Sequence, residues 1–223
     1  MQVVVSHYAA RDIKPLHGLL RQLLSVTNHI CVVINEDHPN QFQEPLPLEV
    51  EVIKRPNTGM NLAGWQEAAK AYPMSDLLLL QDECVMERPE AVQNYAKVLA
   101  TQTAPALIGE TINPRWNKSW ADLMRDPVVG DRAKQYSEFL RSEGVPLASN
   151  ATHLRTLAIG IATRFSQRFC SLPVGKTKEQ CIALEIGISQ CAITEFGGIA
   201  QSNSHPFHYF SHLEWRSDGL GKR

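Results

Sequence analysis

Four consecutive leucines, Leu77 to Leu80, run directly into Gln81, Asp82 and Glu83. An unbroken apolar run of strand length reads as a strand buried on both faces. Such a strand needs helices above and below its sheet, so the run predicts an α/β fold with a mainly parallel sheet flanked by helices. The run also ends in charge. That places carboxylates at the carboxyl edge of the sheet, where open α/β sheets bind their ligands.

The surrounding pattern agrees. Residues 2–6 form a short β-branched run that reads as a second buried strand. Ile13, Leu16, Leu19, Leu20, Leu23 and Leu24 recur at helical spacing, which predicts a helix over 11–26 with Pro15 in its first turn. Strands follow over 30–35 and 48–55, the latter with one exposed face. A helix over 61–72 takes Asn61 as its N-cap. The leucine strand, a helix over 89–99 and a strand over 106–109 complete the first half. Residues 114–143 mix Trp, Arg, Lys and Asp and read as helices and loops. Residues 154–163 are extended, 177–195 form a helix ended by Gly197 and Gly198, and 198–201 return to the sheet. The polar tail from Ser217 is expected to fray.

Composition narrows the classes. With 223 residues and 43% hydrophobic content, the chain can bury a substantial core and is not a disordered sequence. A formal charge of -1 argues against general nucleic-acid binding. The balance hides an asymmetry: residues 1–112 carry 8 basic and 13 acidic side chains, and residues 113–223 carry 14 and 10. No stretch approaches the ~20 apolar residues that span a bilayer. The opening residues lack the basic and apolar regions of a signal peptide. Five cysteines with no CxxC spacing argue against a disulfide scaffold or structural zinc, and a reducing cytoplasm fits best.

Four polar clusters follow the predicted strands: Ser6-His7-Tyr8, Asn35-Glu36-Asp37, Arg55 to Gly59, and Gln81-Asp82-Glu83. The adjacent carboxylates Asp82 and Glu83 suit oxygen ligation of a divalent cation against a diphosphate. They equally suit a solvated strand end. In RPNTGMNLAGW, Gly59 permits a tight turn, and Asn57 and Asn61 offer amides at a helix start that can attract phosphate or a sugar hydroxyl. An ordinary strand-to-helix turn has the same residues.

The order VVVSHY, VVINED, RPNTGMNLAGW, LLLLQDECV resembles the nucleotide-sugar-binding half of GT-A fold glycosyltransferases. The resemblance is nearest to the family 2-like group that builds bacterial surface polysaccharides. Asn57-Thr58-Gly59 matches that group's Asn-x-Gly turn. Gln81-Asp82-Glu83 matches its Asp-x-Asp motif with Gln81 in the first acidic place. The resemblance spans about residues 2–112. It implies a Rossmann-like GT-A fold in which 1–112 form the nucleotide-sugar-binding half and 113–223 a less regular acceptor-side lobe of the same domain. Ser6, His7 and Tyr8, with Asn35 or Glu36, would meet the base and ribose. Asn57, Gly59 and Asn61 would border the donor sugar. Asp82 and Glu83 would meet the ribose, the diphosphate and Mg2+ or Mn2+. The implied activity is transfer of a sugar from a nucleoside diphosphate-sugar to a hydroxyl of a glycan or lipid-linked acceptor, with inversion, in the cytoplasm at the inner face of the membrane. Gln81 keeps a second expectation open: a non-catalytic GT-A-like domain that binds nucleotide or protein. A nucleotidyltransferase would place a glycine-rich loop after the first strand, and SHYAARD has none.

An inverting enzyme needs a carboxylate to take the acceptor proton. Glu179 and Glu185 are six apart, so on one helix they diverge by about 240° and only one can face a given site. Glu185 lies among Ile182, Ala183, Leu184, Ile186 and Ile188, where burial would raise its pKa; it is the first choice and Glu179 the second. A structural salt bridge would use the same residues. His205, His208 and His212 cluster in HPFHYFSH, and His205 is the expected partner of Asp82 and Glu83 at a metal, with aromatic packing the alternative. Arg115, Trp116, Lys118 and Arg125 offer cations and an indole to a diphosphate or sugar, while Trp120 suits a packing anchor.

Overall fold

A computed structural model describes residues 1–101 and 105–213. The first half runs β1 (Gln2–Tyr8), α1 (Lys14–Leu24), β2 (Ile30–Glu36), β3 (Glu51–Pro56), α2 (Met60–Ala71), β4 (Leu77–Gln81), β5 (Cys84–Met86), α3 (Ala91–Leu99) and β6 (Leu107–Gly109). The second half adds α4 (Trp120–Arg125), α5 (Gly130–Ser142), β7 (Ala158–Ile161), α6 (Thr163–Cys170), α7 (Lys178–Glu195), β8 (Ile199–Gln201) and β9 (Phe210–His212). The tail from Ser217 lies outside the described residues. Among the described residues, no helix is long and apolar enough to cross a membrane.

The leucine run behaves as its composition requires. β4 lies parallel to β1, with Val3 opposite Leu78. Successive side chains point to opposite faces. Leu77 and Leu79 enter a core with Trp65, Phe165 and Phe169. Leu78 and Leu80 enter the other, with Leu16, Leu19 and Tyr95. All four leucines are fully buried. β3 has the one exposed face that the sequence predicts, with Val52 on it, and it forms an edge of the sheet.

The main sheet has the order β3-β2-β1-β4-β7-β6-β8. β7 runs antiparallel to both β4 and β6. The expected extended segment over 154–163 is thus an interior strand, and residue 112 is no boundary of the sheet. Crowding explains part of the sequence there. A Cβ on Gly160 would lie 2.7 Å from Ile108 and 2.8 Å from Tyr95, so a side chain has no room. A separate two-stranded ribbon, β5 with β9, ties the region after Gln81 to the chain's last described strand. That pairing joins residues about 125 apart in sequence and has no local signature.

One smaller difference has a local cause. α2 is capped by Gly59 at φ +73°, and Asn61 lies inside the helix instead of capping it. All five cysteines are free thiols. Burial pushes Cys31 and Cys191 up to about 11, which fits small apolar core residues.

Candidate functional site

The carboxyl ends of β1, β2, β3 and β4 bring the polar clusters together. Ser6 donates its hydroxyl to Asn61 Oδ1 at 2.9 Å and receives Asn35 Nδ2 at 3.0 Å. Asn35 also donates to the His7 carbonyl and accepts from Arg55 at 2.7 Å. Arg55 reaches on to Thr58, bracing the turn before α2. Gln81 donates its amide to the Thr156 carbonyl at 2.9 Å. Ser6, His7 and Asn35 are themselves buried, so the network is an internal brace under this sheet edge.

Other expected residues turn to local tasks. Tyr8 donates to Asp37, which also accepts from Asn57 at 2.9 Å. Those two donors, Tyr8 first, lower the Asp37 pKa, and the same bond raises that of Tyr8. Glu36 accepts the Phe42 amide at 2.8 Å and so closes the loop after β2. Gly59 starts α2 and has Val174 against it; an added Cβ would lie 2.3 Å from Val174 Cγ1. That face of the turn is closed to a sugar.

Asp82 is 2% exposed. Its Oδ2 lies 2.5 Å from His7 Nδ1, and Arg11 lies 3.7 Å from its Oδ1. Arg11 binds Glu83 Oε2 at 2.7 Å, and His212 Nε2 stands 3.5 Å from the same oxygen. The β5–β9 ribbon places His212 there. His205 is exposed instead and bonds Asn203 and Ser204. The expected trio of Asp82, Glu83 and His205 is therefore replaced by contacts of Asp82 with His7 and of Glu83 with Arg11 and His212. Among the described residues, no three His, Cys, Asp or Glu side chains are grouped to share a cation. One oxygen of Asp82 bonds His7 and one of Glu83 bonds Arg11, so protein side chains meet part of the charge that a cation would otherwise take.

A cleft of about 240 Å³ opens on the side of Thr156. Asn113, Arg132, Tyr136, Arg155, Thr156 and Glu185 are among its lining residues. Glu185 lies on α7 and accepts a hydrogen bond from Thr156 Oγ1 at 2.5 Å. Desolvation raises its pKa to about 7, and the Thr156 bond opposes the rise. Glu179 is exposed in the first turn of α7, where it complements the helix dipole. Gln81 and Thr156 link the end of β4 to this cleft: Gln81 holds the Thr156 carbonyl while the Thr156 hydroxyl holds Glu185.

Arg115, Lys118 and Arg125 are exposed and do not line this cleft, and Arg125 pairs with Asp122. Trp116 does line it, stacked on Tyr136 at 5.8 Å. Trp120 is a buried packing residue. Arg11, Arg55, Thr156 and His212 escaped assignment from sequence. Arg55 stood in the recognised turn, and its place after a strand was the available signal.

Neither a protein-family model nor a curated protein matches the sequence. Among solved structures, a putative glucose-1-phosphate thymidylyltransferase from Bacillus anthracis, in complex with sucrose, shares 6% identity; the match covers 95% of this chain and 89% of that chain with a TM-score of 0.53. The galactosyltransferase LgtC, in complex with donor and acceptor sugar analogues, shares 10% identity over 92% of this chain and 74% of that chain, with a TM-score of 0.46. At 6% identity the likeness to the thymidylyltransferase concerns the fold alone: the chain has the α/β arrangement of a mainly parallel sheet flanked by helices.

Proposed function

We propose that the chain is a sugar-nucleotide-using enzyme, specifically a glycosyltransferase that moves a sugar to a hydroxyl of a glycan or lipid-linked acceptor with inversion. The observation that supports this reading is the link from Gln81 through Thr156 to Glu185. It sets a carboxylate that titrates near 7 beside the polar ends of β1, β2 and β4. A base with that pKa is matched to proton transfer near neutrality.

In this reading the nucleotide lies over Ser6, His7, Asn35 and Asn61, with Arg55 bracing the Asn35 amide. The acceptor oxygen attacks the anomeric carbon. The bond from that carbon to the phosphate oxygen breaks, and its electron pair leaves with the diphosphate. Glu185 takes the acceptor proton. Arg11, whose side chain is 47% exposed, turns from Glu83 toward the diphosphate as a guanidinium donor. The acceptor side, built by residues after 112, works at the inner membrane face if the acceptor is lipid-linked.

Thermal unfolding with UDP, GDP, CDP, ADP and dTDP, each with Mn2+ and with EDTA, tests the reading. One diphosphate is expected to stabilise the chain in both conditions, by about 2.7 kcal/mol at a hundredfold excess over Kd. No stabilisation by any of the five would sink it. Stabilisation without hydrolysis of the matching nucleoside diphosphate-sugar would favour the non-catalytic nucleotide-binding alternative.

A further inference from the structure

The cleft beside Glu185 holds more positive charge than proton abstraction requires. Arg132, on α5, and Arg155, just before β7, both line it. Each acts on the cleft walls. The Arg155 charge adds to burial in holding His153 down to about 4, so that His153 is neutral near pH 7. The Arg132 charge opposes the burial that raises the Tyr136 hydroxyl. Glu185 is the one carboxylate among the residues that line the cleft. Arg132 is exposed, and among the described residues no carboxylate forms an ion pair with it. Trp116, stacked on Tyr136 with an interplanar angle of 17°, supplies an apolar aromatic wall.

We propose that this cleft selects an anionic acceptor: a sugar bearing a carboxylate or a phosphate, with Arg132 on the anion and the ring against the aromatic wall. Guanidinium forks match both anions bidentately, and aromatic walls suit sugar rings. The use of the cleft in transfer rests on the glycosyltransferase reading, whereas anion binding does not.

The test follows the indole N–H signal of Trp116 by NMR, assigned with Trp116→Phe, during titration of the full chain. The probes are methyl β-glucuronide, inorganic phosphate and methyl β-glucoside. The glucuronide or phosphate is expected to move the signal at a concentration about tenfold below that of the neutral glucoside, the size of one charge-assisted hydrogen bond. Arg132→Gln should remove most of that preference, and Arg132→Lys should restore part of it. Because Arg132 is exposed, these variants are expected to keep the wild-type spectrum elsewhere. A response to the glucuronide alone assigns an acidic sugar; a response to phosphate assigns a phosphate-bearing acceptor. Equal response to neutral and anionic probes, no response at all, or an unchanged preference in Arg132→Gln would overturn the proposal. Anion binding at Trp116 with no nucleoside diphosphate binding would overturn the transferase reading and leave this cleft standing.

Discussion

At the scale of single residues, Glu185 is the most informative side chain. Burial raises its folded pKa from 4.5 to about 7, and the Thr156 hydroxyl works against that rise. The sign for stability follows directly. Between about pH 4.5 and 7 the folded state holds a proton that the unfolded chain has released, so this group makes stability fall as pH rises through that window. Glu185→Gln should flatten that part of the profile in chemical unfolding measured across pH. If Glu185 is the base, activity runs the other way and is lost below about pH 7 as the carboxylate protonates. Thr156→Val should then move the acidic limb of kcat/KM to higher pH, since the bond that favours the ionised form is gone. Glu185→Gln should lower kcat by roughly 10²–10⁴ with nucleotide binding retained. A limb that does not move in Thr156→Val, or a Glu185→Gln enzyme of normal kcat, would remove the assignment.

At the scale of elements, positions are set by polar groups that join segments distant in sequence. Asp76, directly before β4, accepts both the backbone N–H and the hydroxyl of Thr163 at 2.7 Å. It thereby satisfies an otherwise open N–H in the first turn of α6, in the place of an N-cap side chain. Asp76→Ala should cost about 1 kcal/mol in urea unfolding with an unchanged m-value, and Asp76→Asn should cost less. An alanine variant as stable as the parent would show that the bond contributes nothing net. The buried Glu110 plays a comparable part. It accepts from Tyr95, Ser202 and the Tyr209 amide, and so anchors the segment that leads into β9. That anchor delivers His212 to Glu83.

At the scale of the whole molecule, the two halves are one body. β7 comes from the second half yet lies between β4 and β6 of the first. Hydrogen exchange should therefore show its slowest amides in β1, β2, β4 and β7 together, with β3, β5 and β9 opening first as edge elements. Independent protection of residues 1–112 and 113–223 would contradict that cooperativity. The charge split of the sequence resolves differently from its simplest reading. The Asp82 and Glu83 carboxylates are met by Arg11, His7 and His212. The second half's contribution is Arg132 and Arg155, at the Glu185 cleft.

The sequence by itself determined the fold class, because a parallel sheet buried on both faces leaves unbroken apolar runs such as Leu77–Leu80. It also placed Ser6, Asn35, Asn61 and Asp82 at one sheet edge, since each follows or flanks a legible strand or turn. Glu185 was legible as a carboxylate in an apolar helix face. Tertiary structure alone decided what these groups touch. Hydrogen bonds such as Gln81 to Thr156 or His7 to Asp82 span about 75 residues, and no local spacing encodes them. Only the folded chain shows that Val174 fills the space beside Gly59, that Glu36 caps a loop, and that His212 stands where His205 was expected. Local periodicity reports which face of an element is buried; the partner on that face is chosen by packing across the whole sheet.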